Sequence, residues 1–194
     1  MKKIYTFIIS IICIGMICGA FYYITSKSKN STQVNEELTV VQKIITKDIE
    51  ADYPATPREV VKLYNKIITC YYSAEFEEGE FDQLVDQAFL LFDDELVKNN
   101  PKENYVAALK NEIDEYKGKD KVISQSAVCS SNDVIYRKDK DNSEVAYVNT
   151  SYFIKEGKSY TRTYEQYVLR KDDDGKWKIL GYYQLEANPS ESEE

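Results

Sequence analysis

The chain reads as an α+β fold behind a membrane-spanning segment, and three observations predict this. Apolar residues recur at helical spacing between residues 36 and 118; beyond residue 120 the apolar segments become rich in β-branched and aromatic side chains; short turn signals separate those segments. Helices first and strands afterwards give the segregated α+β class, not the alternation of a parallel-sheet enzyme. The expected domain is about three helices covering one face of an antiparallel sheet of four to five strands.

The N-terminal element comes first. Residues 4–24 carry no charge, and only Thr6, Ser10, Gly15 and Gly19 interrupt the apolar run. As a helix this run extends about 31 Å, matching a hydrocarbon core of about 30 Å. Met1-Lys2-Lys3 before it favours a cytoplasmic tip and an exported remainder. Phe21, Tyr22 and Tyr23 suit the membrane–water interface, so a retained single-pass anchor is the preferred reading. The rivals are a signal peptide cleaved at Cys18-Gly19-Ala20, which would give a secreted protein, and a lipidated Cys18. Gly15 and Gly19 form a Gly-x-x-x-Gly pair, a candidate face for helix self-association. The chain thus divides into tip and anchor (1–24), polar tether (25–35), extracytoplasmic domain (36–186) and acidic tail (187–194).

Within the domain, Val40, Val41, Ile44 and Ile45 suggest a lead-in helix over 36–49. Thr56-Pro57-Arg58-Glu59 combines a capping box with proline at the first helical position and starts a helix to about Tyr72. A second helix is expected from Phe81 to Lys98. A third follows Asn100-Pro101, with asparagine as its cap, and ends at Gly118. Strands are expected near 122–129, 134–137, 145–155, 160–170 and 177–185, in a meander of short turns. In the last strand, alternation places Trp177, Ile179, Gly181, Tyr183 and Leu185 on one face, with Lys178, Tyr182 and Gln184 on the other.

The 194 residues include no histidine, which excludes serine–histidine and cysteine–histidine nucleophile pairs, histidine metal sites and a histidine general base. Residues 31–194 carry 21 basic and 33 acidic side chains, a net charge of −12, a surface that repels nucleic acid and anionic lipid. Cys70 and Cys129 read as two separate buried thiols; the alternative is a disulfide closing a loop of about 60 residues, worth about 4 kcal/mol. Asp172-Asp173-Asp174-Gly175 lacks the alternation of a calcium loop and reads as a charged hairpin. The carboxylates within strands are Glu144 and Glu165. Tyr160, Arg162 and Tyr164 share one face of their strand, and Glu165, Tyr167 and Leu169 the other. No catalytic, cofactor or metal residue is expected. Seventeen tyrosines exceed what a core requires, and Tyr147, Tyr160, Tyr164 and Tyr183 are the candidate pocket or interface aromatics.

Three helices followed by this sheet, closed by Asp173-Asp174-Gly175-Lys176-Trp177-Lys178-Ile179, resemble the cone-shaped α+β domains of the nuclear transport factor 2-like (cystatin-like) superfamily. More narrowly, Tyr53 to Val61 and Arg170 to Tyr182 resemble an uncharacterised family of small membrane-anchored proteins of Gram-positive bacteria, over roughly residues 36–186. The resemblance implies a curved sheet and, with no histidine to act inside the cone, a binding or assembly role in the envelope. The expected partner is an envelope protein or a second copy, with no cofactor and no nucleic acid. The alternative is a domain binding a small apolar ligand with weak or vestigial isomerase-like activity.

Overall fold

A threonine followed three residues later by glutamine opens the described part of the protein, which in this computed structural model is residues 38–186. The expected anchor with Gly15 and Gly19, the tether and the acidic tail lie outside the described residues. Among the described residues no helix is long and apolar enough to cross a membrane. Thr39 and Gln42 form a reciprocal capping box that starts helix α1 (Val40–Ile45). It is shorter than the expected 36–49 helix. Thr46 bonds its own hydroxyl back to the Gln42 carbonyl, and the chain then turns to bury Ile49 completely.

Helix α2 (Pro57–Ser73) starts where the sequence predicts, with Thr56 and Glu59 bonded to each other's backbone and proline in the first turn. Its stripe of Val60, Val61, Tyr64, Ile67 and Tyr71 is buried. Gly79 then adopts φ 82°, a left-handed conformation that glycine tolerates, and leads into α3 (Glu80–Phe89).

The expected single helix over 81–98 is in fact two. After α3 the backbone of Leu91–Asp93 leaves the helix and bonds to the sheet: the Ile179 N–H donates to the Leu91 carbonyl (2.8 Å), and the Asp93 N–H donates to the Ile179 carbonyl (2.8 Å). Asp93 then caps α4 (Asp94–Asn99) by accepting from the Glu95 N–H. Leu91 and Phe92 are buried either way, so their apolar spacing conceals the break. Asn100 also differs from expectation. Its side chain closes α4 on the Leu96 carbonyl, and α5 (Lys102–Gly118) begins at Pro101 without a side-chain cap.

The sheet comprises β1 (Lys121–Val128), β2 (Ile135–Lys138), β3 (Glu144–Glu156), β4 (Ser159–Lys171) and β5 (Trp177–Leu185), all antiparallel pairs. It is not a full meander. β1 and β2 both pair with β3, β1 against 150–156 and β2 against 144–147, so they form one edge strand interrupted by residues 129–134. The β4–β5 turn closes as the aspartate run predicts: Gly175 has φ 78°, and Asp172 accepts from the Lys176 N–H. Two bulges shift the register, one at Ser124 and one at Leu180. The second overturns the expected alternation in β5. Ile179 shares a face with Leu169, and three residues later Tyr182 pairs with Tyr167 on that same face, which sends Tyr183 to the other side.

The helices cover the face bearing Ala146, Val148, Tyr152, Tyr167, Leu169 and Ile179, all buried. Asp93, 5% exposed, ties this layer to β4 by accepting two bonds from Arg170, which also pairs with Glu95. Asp93→Ala removes a helix cap and a charge partner together. It is expected to cost about 2–3 kcal/mol, seen as a lower urea midpoint at unchanged slope.

Candidate functional site

Register decides what the sheet offers. With Ala146, Val148 and Tyr152 turned to the helices, Tyr147, Asn149, Ser151 and Phe153 on β3 point away from them, and the pairing carries this phase across the sheet. The four candidate tyrosines come together on that opposite face. Tyr147 lies opposite Val168, Tyr160 opposite Lys155, Tyr164 opposite Ser151 and Leu185, and Tyr183 opposite Gln166. Tyr160 and Tyr183 are exposed, and Tyr147 and Tyr164 half-buried. Among the described residues no helix covers this face.

Its side chains are held in place by one another. The Arg162 guanidinium lies 4.8 Å from the Phe153 ring centre and 5.0 Å from that of Tyr164, and donates to the buried Ser151 hydroxyl at 3.0 Å. Gln166 donates to Asn149 at 2.7 Å and accepts from the Tyr183 hydroxyl, a polar row across three strands. Rings and amides held at fixed positions on an uncovered face suit contact with another macromolecule.

The helix-covered face holds a different arrangement, made largely of residues the sequence reading did not single out. Asn65, 1% exposed on α2, donates to the Thr150 hydroxyl (2.6 Å), which donates on to the Ala127 carbonyl (2.9 Å). The Asn65 carbonyl oxygen accepts from Tyr152 (2.7 Å). The Tyr152 hydroxyl meets that of Tyr167 (2.8 Å), and Tyr167 meets the Glu165 carboxyl (3.1 Å). The signal was a polar residue, Asn65, lying within an apolar helical stripe.

Counting protons along this chain is informative. Three contacts join Asn65, Tyr152, Tyr167 and Glu165, but the two hydroxyls supply only two protons, and the Asn65 oxygen only accepts. With Tyr152 donating to Asn65 and Tyr167 to Glu165, the contact between the two hydroxyls is left without a proton; a protonated Glu165 would complete the chain by donating to Tyr167 in turn. Burial pushes the Glu165 carboxyl above its ordinary range; the Tyr167 hydroxyl opposes this, and the charge of Glu112 on α5 adds to it. Burial likewise raises the Tyr152 and Tyr167 phenols, keeping them neutral.

Among the described residues a groove of about 610 Å³ lies between α1, α2 and β1, lined in part by Val40, Val41, Cys70, Ala74, Lys66 and Gln125. Burial pushes the Cys70 thiol up to about 11, so it is no nucleophile at neutral pH. Cys129 is half-buried, its thiol also raised by burial, and its carbonyl accepts from Arg58. Both thiols are free.

The chain belongs to the family described as "Domain of unknown function (DUF6715)", whose model matches residues 1–182 and so takes in the apolar segment. No curated protein matches it. Among solved structures, the chain is similar to the NMR solution structure of TraH, described as a transfer protein, from the Gram-positive conjugative plasmid pIP501. Identity is 15%, coverage 70% of this chain and 98% of that one, and the TM-score 0.36, too low to carry an argument. Membership of the nuclear transport factor 2-like superfamily is not established by these likenesses; a family without assigned function is.

A carboxyl whose folded pKa is raised favours folding in its protonated form. Its contribution is full below the unfolded pKa and is lost as pH rises through the folded value. Glu165→Gln offers Tyr167 both an acceptor oxygen and an N–H donor and can carry no charge. The variant is expected to melt above wild type at pH 7–8, the gap closing as pH falls towards about 4.5. A pH-independent gap in paired melting curves would count against a buried titrating carboxyl.

Proposed function

We propose that this member of a family of unknown function is a binding module of the bacterial envelope, carried outside the cytoplasmic membrane by the apolar segment 4–24. The observation that carries the reading is the uncovered sheet face bearing Tyr147, Tyr160, Tyr164 and Tyr183 around a fixed Arg162. Large rigid aromatic surface with neighbouring amides is what protein interfaces select. The opposite face is occupied by Tyr64, Tyr71, Tyr152 and Tyr167, all buried; Tyr152 and Tyr167 bond to each other, Tyr64 meets Tyr105, and Tyr71 donates to the Leu84 carbonyl. That leaves little there for a substrate to use, and with no histidine in the chain acid–base chemistry on this face would fall to Glu165, whose carboxyl Tyr167 already engages. A second copy docking through the same face would set Arg162 and its neighbouring cations against themselves, so the partner is a different molecule. Gly15 and Gly19 remain available for association within the membrane.

A second reading, a small apolar ligand, is favoured by the groove between α1, α2 and β1. That groove has no buried carboxylate to accompany it, so the reading extends to binding alone.

Site-specific photocrosslinking distinguishes these. A photoreactive phenylalanine at position 164 or 183 of the full chain, in its native membrane, is expected to give a discrete adduct, while the same group at exposed Ala107 on α5 gives none. Equal yields from the two surfaces, or none from the sheet, would reject the reading.

A further inference from the structure

The charges of the sheet are sorted by face. Although the chain has 33 acidic side chains, the five strands carry only three, Glu144, Glu156 and Glu165. By register all three sit on the helix-side face, where Glu144 pairs with Lys171, Glu156 with Lys121, and Glu165 bonds with Tyr167. The open face has no acidic strand residue and five basic ones: Arg137, Lys155, Arg162, Arg170 and Lys178. On a body of net charge −12 this is a local reversal of sign.

Position sharpens the pattern. Arg170 is engaged by Asp93 and Glu95, and Lys178 donates to the Leu90 carbonyl. Arg137 and Lys155 form no ion pair with a described residue, and Arg162 only stacks and bonds to Ser151. Along β3 the free cations lie at two ends, Arg137 opposite Val145 and Arg162 opposite Phe153, with Lys155 two residues further. Eight residues of strand separate these ends, about 26 Å. The middle is neutral: Tyr147, Asn149, Ser151, Tyr164, Gln166 and Tyr183. Stacked on two rings, the Arg162 guanidinium keeps the rest of its planar donor fork free, the geometry that grips a carboxylate bidentately.

We propose that the open sheet face recognises an acidic polypeptide segment, with carboxylates docking at Arg162 and Lys155 at one end and at Arg137 at the other, and apolar or aromatic residues crossing the tyrosines between. The inference rests on the binding-module reading and names that partner's chemistry. A uniform polyanion fits less well, because the cations are separated by a neutral band of rings and amides instead of forming a continuous stripe.

The test uses the full chain in zwitterionic detergent and three probes: a labelled glutamate–tyrosine copolymer, a glutamine–tyrosine copolymer of equal length, and inorganic polyphosphate. Fluorescence anisotropy should show binding of the first, weakening with salt, and little of the second. Arg162→Gln should weaken it about tenfold, Arg137→Gln should also weaken it, and Glu165→Gln should leave it unchanged. Equal binding of the glutamine copolymer, preference for polyphosphate, or no binding of any probe overturns the inference. The crosslinking experiment separates the two levels. An adduct at position 164 that survives Arg162→Gln and Arg137→Gln together sinks the acidic-partner inference and leaves the binding module standing. Absence of any face-specific adduct sinks both.

Discussion

One buried amide fixes how the two layers of this domain meet. Asn65 reaches from the centre of α2 into the sheet and bonds in both directions, to Thr150 and to Tyr152. A polar group at such depth is costly unless its partners are all present, so only one register of helix against sheet satisfies it. Because strand side chains alternate with a period of two, that register also dictates which residues of β3 face away. The open face is therefore a consequence of the closed one: Thr150 and Tyr152 turned inwards require Asn149, Ser151 and Phe153 to be turned outwards.

The fold class and most element positions were legible because local chemistry states them. The Thr56–Glu59 capping box, the Gly175 turn and the change from helical to strand composition near residue 120 all act within a few residues. What escaped was settled by distant partners. The break after α3 exists because Ile179, far along the chain, takes the backbone groups of Leu91 and Asp93. The phase of β5 changes at Leu180, where one residue without a register partner shifts everything after it. The collinear β1 and β2 look like any two strands joined by a turn until β3 is seen to pair with both. As to the site, the four tyrosines were singled out by residue type, and three of them belong to strands whose common face alternation alone leaves undetermined. Tyr183 joined them through the bulge, against the expected alternation. Asn65 and the proton count around Glu165 required the third dimension.

Histidine's absence and the sorted charges bear on function from opposite sides. The first removes the commonest proton-transfer residue from the interior, where the tyrosine hydroxyls answer one another. The second gives the exterior a surface of opposite sign to the rest of the molecule. Arg137, Lys155 and Arg162, in ion pairs with no described carboxylate, lie on the aromatic face that no described helix covers.

The strap formed by Leu91–Asp93 has a consequence for self-association. Sheets with bare outer strands invite other chains to extend them, and β5 is such an outer strand. At Ile179 both its outward N–H and its carbonyl are already taken by the strap, and the Asp93–Arg170 pair clamps that strap down. Strand addition along this part of β5 is blocked by the protein's own backbone. The domain can thus present a broad aromatic face without also offering this part of its edge as a template for polymerisation.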